Sequence, residues 1–140
     1  MARIRIAFAL VMSLLVGACD SPTSFADAHD LGIAAHQLES LAHEAGWLAQ
    51  QLQSRSVSAD MAWVHQRAIA EEANKALRAL DKPVPPELRG QQEAVAKIAA
   101  QLQAEVTRIA LAVNRPGELE ALRSNFESLA KAAHPIAGHA

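Results

Sequence analysis

Leu31-Gly32-Ile33-Ala34-Ala35-His36-Gln37-Leu38-Glu39-Ser40-Leu41-Ala42-His43-Glu44-Ala45-Gly46-Trp47-Leu48-Ala49-Gln50-Gln51-Leu52 is the stretch that decides the fold. Leu31, Ala34, Leu38, Leu41, Ala45, Leu48 and Leu52 recur in steps of three and four, the spacing that lines up apolar side chains on one face of an α-helix. The pattern predicts a helix from Asp27 to about Gln53. Beyond it, Ser54-Arg55-Ser56-Val57-Ser58 reads as a turn, with Ser58 a suitable N-cap for a second helix.

That second helix is expected from Ala59 to Leu80, on a less regular stripe of Met61, Val64, Ala68, Ile69, Ala73, Ala76 and Leu80. Asp81-Lys82-Pro83-Val84-Pro85-Pro86 ends it, because a helix interior does not hold three prolines in four positions. A third helix starts at Pro86 or Glu87, proline being favoured at the first helical position. Its stripe is Leu88, Val95, Ile98, Leu102, Val106 and Ile109, and it runs to about Val113. Asn114-Arg115-Pro116-Gly117 is the next turn. A fourth helix carries Leu119, Leu122, Phe126, Leu129 and Ala133 and is expected to stop at Pro135. Short connections between amphipathic helices make neighbours antiparallel, so the expected fold is all-α, an up-down-up-down four-helix bundle over residues 27–135 with a tail at 136–140.

Composition agrees. The 140 residues contain no tyrosine, two tryptophans and three phenylalanines, and alanine, leucine, glutamate and glutamine abound. Such residues lose little on entering a helix, whereas strands favour branched and aromatic ones. The formal net charge is −2 and no basic patch stands out, which argues against nucleic-acid binding, where phosphate neutralisation dominates affinity.

Before the bundle, Arg3 and Arg5 precede an uncharged, mostly apolar run from Ile6 to Val16. That run is shorter than the roughly 17–25 residues that span a bilayer. A positive start, a short apolar run and small residues before a cleavage point make an export signal over residues 1–18. Leu15-Val16-Gly17-Ala18-Cys19 resembles the lipobox of bacterial lipoproteins, with Val16 where leucine is commonest. The resemblance implies cleavage before Cys19 and acylation of its thiol, palmitate among the chains, and Cys19 is the chain's single cysteine. Two or more acyl chains hold a protein stably on a membrane where one does not. Asp20 after the cysteine implies, within that family, retention at the inner membrane on its periplasmic side. Residues 19–26 are then a lipidated tether.

Several side chains are candidates for chemistry. His29, His36 and His43 recur at sevens on the face opposite the leucines, and Trp47 follows on the same face, so the four form a candidate contact surface. Successive members of this ladder are about 10.5 Å apart along the helix, too far to share one ion. His65 and Glu72 sit at the inner edge of the second helix, where a histidine satisfied by a carboxylate across the core is expected. A carboxylate-bridged di-iron site needs Glu-x-x-His pairs, and the chain has only the reversed His36-Gln37-Leu38-Glu39. Neither a glycine-rich phosphate loop nor a Gly-x-Ser-x-Gly elbow occurs.

Ala130-Lys131-Ala132-Ala133-His134 resembles the haem-attachment segment of cytochrome c-prime, Cys-Lys-x-Cys-His, with both cysteines replaced by alanine. Cytochrome b562 has the same bundle architecture and holds haem without thioether bonds. That resemblance implies His134 as an axial ligand and Phe126 lining the pocket; no second ligand is identifiable, and Met61 is the one that could be proposed. Taken together, the sequence leads us to expect a non-enzymatic, lipid-anchored accessory or scaffold protein of the bacterial envelope with a protein partner. The alternative is a periplasmic module that binds a small ligand, a metal or haem through His134 and His65.

Overall fold

The computed structural model describes residues 25–138. The expected export signal over residues 1–18, Cys19 and Asp20 lie outside these residues. Four α-helices follow one another: α1 (Ala28–Gln53), α2 (Ala59–Ala79), α3 (Arg89–Ile109) and α4 (Pro116–Ala137), with 3-10 turns at Pro86–Leu88 and Ala110–Ala112. The connections are far shorter than the helices, so sequence neighbours run antiparallel. α1 packs on all three other helices and most extensively on α4. Among the described residues, no helix is long and apolar enough to cross a membrane.

Local chemistry fixes each boundary. Asp27 caps α1: its carboxylate accepts the Asp30 N–H at 2.9 Å while the Asp30 carboxylate accepts the Asp27 N–H, a reciprocal capping box. α1 ends in a Schellman arrangement, with Ser56 N–H donating to Gln51 O and Arg55 N–H to Leu52 O. Arg55 sits there at φ 56°, the left-handed conformation that glycine usually takes. Ser58 caps α2 as expected, accepting the Met61 N–H.

The core is made of the expected leucines of α1, the Val95–Ile109 stripe of α3, and Leu119, Leu122, Phe126, Leu129 and Ala133 of α4. α1 buries more than one stripe, adding Gly32, Ala35, Ala42, Gly46 and Ala49, because it has partners on several sides. The small residues let α4 come close: a Cβ on Gly46 would lie 3.6 Å from Phe126 Cβ.

Four expectations need correction. Pro135 does not stop the last helix, which runs to Ala137; a proline so near the end deprives the helix of a single hydrogen bond, to Lys131 O. Pro116 and Gly117, expected in a turn, already form the first turn of α4, with Pro116 at a favoured first position. Ala26 is not tether: it is buried, and its N–H donates to Pro83 O at 3.0 Å, tying the start of the bundle to the α2–α3 connection. In α2 the inward positions are Ala62, Ile69, Ala73 and Ala76, whereas Met61, Val64 and Ala68 face out.

Candidate functional site

α1 and α4 lie antiparallel, which brings the end of α4 beside the first half of α1. The face of α1 that carries His36, Ser40 and His43 therefore meets His134, Ala137 and Gly138 along a shallow groove of about 430 Å³. Glu39 stands at its centre. One carboxylate oxygen accepts a 2.8 Å hydrogen bond from His134 Nδ1, and the other lies 3.8 Å from His36 Nδ1. A carboxylate has no proton to give, so the imidazole is the donor. Both rings are open to solvent, at 75% and 77% exposure, while the Glu39 side chain is held down at 16%.

The groove continues past His43. Gly46, Trp47 and Gln50 of α1 face Arg123 and Glu127 of α4 around a smaller hollow of about 180 Å³. Arg123 forks onto Glu120, with Nη2 at 2.6 Å and Nε at 3.2 Å from its two oxygens, and its Nη1 reaches Glu127. The hydrogen bond and charge of Arg123 hold the Glu120 carboxyl below its ordinary value, and Glu120 in turn raises Arg123. Of the expected contact surface, His29, His36, His43 and Trp47 are all exposed. His36, His43 and Trp47 border this groove.

The residues expected to hold haem do not converge. His134 opens to solvent at one end of the bundle, Met61 is exposed at the other, and Phe126 is sealed in the core between them. His65 is not satisfied across the core either. It is half exposed and looks across the α1–α2 seam at Glu44, 4.0 Å away, while Glu72 binds Lys75 and accepts from Gln37 at 3.5 Å. Among the described residues, no group of three or more His, Cys, Asp or Glu side chains is placed to hold a metal ion.

A second feature escaped the sequence reading. Met61, Trp63 and Val64 in the first turns of α2 are 53%, 54% and 58% exposed, and Leu111 in the turn after α3 is 68% exposed. Gln66, one turn beyond Trp63, accepts the Ala110 N–H at 2.9 Å, which ties the turn carrying Leu111 to this end of α2. The Arg67 guanidinium lies 5.9 Å from the Trp63 ring centroid, within cation–π range. The register of α2 carried the signal: from Ile69, Ala73 and Ala76 the inward stripe extends back to Ala62, leaving positions 61, 63 and 64 off it. Comparison with protein-family models, curated proteins and solved structures finds no match to this chain.

Proposed function

We propose that this chain is a lipid-anchored protein of the bacterial envelope, held on the periplasmic side of the inner membrane through Cys19, that works by protein contact and not by catalysis. The observation that carries the reading is the position of four exposed apolar side chains, Met61, Trp63, Val64 and Leu111, at one end of the bundle. Tryptophan is among the side chains that most often dominate binding energy in protein interfaces, ringed by contacts that exclude water. These four side chains occupy the end where α1 gives way to α2, whereas Ala26 is tied to the connection after α2. The α2 span between those ends is roughly 30 Å at 1.5 Å per residue. An acyl anchor six residues before Phe25 would hold the Ala26 end, with exposed Phe25 and Ile33, at the bilayer and turn the Trp63 end away from it. A lipid surface is then out of reach of Trp63, and a protein is the fitting occupant.

The test is photocrosslinking in intact cells, with the reactive residue at position 63 and, for comparison, at Lys97 on α3. A discrete protein adduct from position 63, not formed from position 97 and weakened by Leu111→Glu, is the expected result. Adducts to lipid alone, or equal labelling from both positions, would overturn the reading.

A further inference from the structure

We propose that the outer face of α1 is a seam on which a second copy of this chain pairs, helix against helix and parallel. The direction of the pair rests on the anchor reading above; Trp63 lies on another helix, α2, and plays no part in it. On α1, Ile33, Ser40 and Trp47 alternate with His29, His36, His43 and Gln50. All seven side chains are exposed, Ile33 and Trp47 each at 50%. They follow one another in alternating steps of four and three, a mean of about 3.5 residues, which is the repeat of a left-handed coiled coil. The seam runs for roughly 32 Å at 1.5 Å per residue. A partner that tracks it over that length is itself a helix. The chemistry of the seam also sets it apart from the other outer faces. Arg67 and Glu71 on α2, Glu93 and Lys97 on α3, and Glu120 and Glu127 on α4 are all exposed. No Asp, Glu, Lys or Arg falls on the α1 seam, although such residues make up 20% of the chain. Two copies of like net charge therefore meet there without opposing like charges at the seam positions.

The chain that precedes the bundle selects a second copy as the occupant. Cys19 lies six residues before Phe25, a reach of at most about 20 Å, and the seam begins four residues further on, at His29. Every anchored copy then presents its seam from the same end, in the same sense and at the same height above the bilayer, so two seams meet parallel and in register. Ile33 packs on its counterpart and Trp47 on its own, and the small Ser40 between them lets the helices approach. Helices packed in this way lie about 8–10 Å apart, well within the reach of two tethers. The seam also has recesses beside its ridges. Its middle, at His36, Ser40 and His43, borders the larger hollow of the α1–α4 groove, and Trp47 and Gln50 border the smaller one. Only Ile33 and Trp47 are large and apolar, so the pair depends on the raised effective concentration that confinement to one membrane supplies.

The experiment is oxidative crosslinking, in isolated membranes, of the full chain carrying one added cysteine, read as a dimer on a non-reducing gel. Circular dichroism confirms that each purified variant remains helical. Ile33→Cys, Ser40→Cys and Gln50→Cys should each give the dimer, and Lys97→Cys on α3 should not. Trp47→Glu combined with Ser40→Cys should cut the dimer at least tenfold, while Lys97→Glu in its place leaves it unchanged. A dimer from Ser40→Cys with none from Ile33→Cys or Gln50→Cys would mean an antiparallel pair and overturn the proposal. So would a membrane-held chain that gives no dimer at any seam position, an adduct to a different protein, or equal dimer from Lys97→Cys. The parent chain checks the anchor separately: with Cys19 acylated it gives no dimer and stays with the membrane. Crosslinking of the parent through a free Cys19, or its recovery in the soluble fraction, would overturn the anchor reading and the parallel pairing with it.

Discussion

His134 and Glu39, 95 positions apart, meet at 2.8 Å and fasten the last turns of α4 to α1. The pairing depends on where α1 starts and where α4 stops, and the chemistry of both boundaries is local. The capping box at Asp27 starts α1, and α4 passes through Pro135 with the loss of one hydrogen bond before ending at Gly138. Had α4 stopped at Pro135, Ala137 and Gly138 would not form the far wall of the groove.

Arg55→Gly should stabilise the protein. Arg55 adopts φ 56° at the end of α1, where a side chain costs about 1–2 kcal/mol. Glycine removes that cost but adds freedom to the unfolded chain worth roughly 0.5–1 kcal/mol. The net gain expected is about 0.5–1 kcal/mol, read as a higher urea midpoint at unchanged slope. A lower midpoint would show that Arg55 makes a contact of greater value than its strain.

Gly46→Ala should also stabilise, although Gly46 is buried. The added Cβ would sit 3.6 Å from Phe126 Cβ, an ordinary contact distance, so no repacking is required. Removing a mid-helix glycine is worth roughly 0.5–1 kcal/mol. Thermal unfolding of the variant tests this, and a fall in midpoint would mean that α1 and α4 cannot tolerate the methyl group.

Phe126→Ala should cost about 3–5 kcal/mol, because Phe126 is the largest fully buried side chain and its loss leaves a cavity. Against a total of about 5–15 kcal/mol typical of domains, that is severe. Leu111→Ala, at an exposed position, should change stability by no more than about 0.5 kcal/mol. Paired denaturation curves give both values, and a large effect at Leu111 would place it in the core.

The Arg123–Glu120 pair gives a pH dependence with a definite sign. Glu120 is held below its ordinary value of 4.5 by the hydrogen bond from Arg123. A carboxylate depressed on folding stabilises the protein above its unfolded value and loses that effect as pH falls through its folded one. The parent should therefore melt above Arg123→Gln near neutral pH, and the difference should shrink as the pH drops below 4.5. A gap that persists or widens in acid would show that Arg123 acts through packing instead.

Cys19→Ser should move the protein from the membrane fraction to the soluble periplasmic fraction and abolish labelling by fatty acid. An unchanged distribution, with labelling lost, would place the attachment elsewhere in the chain.

Much of this architecture was legible in the residues. The stripes of α1, α3 and α4 hold large aliphatic side chains at a strict helical period, and each of those helices buries the expected face. α2 was harder, because its inward positions are mostly alanine and its large apolar side chains, Met61, Trp63 and Val64, point outward. Apolar identity then competes with register, and only register is right. The groove was legible in part. His36, His43 and Trp47 announce a face by spacing, but the partner of Glu39 depends on how far α4 runs and which helix it lies against. Those are tertiary facts that no local pattern encodes.

The dominance of α1–α4 packing joins the first helix of the bundle to the last. As the chain is made, α1 can fold locally but cannot cover the side that packs on α4 until α4 has followed it. Closure of the bundle is thus a late, chain-spanning event, and a product cut short before Pro116 would present that side of α1 to proteases and to other unfolded chains. Completion of the whole polypeptide becomes the condition for its survival.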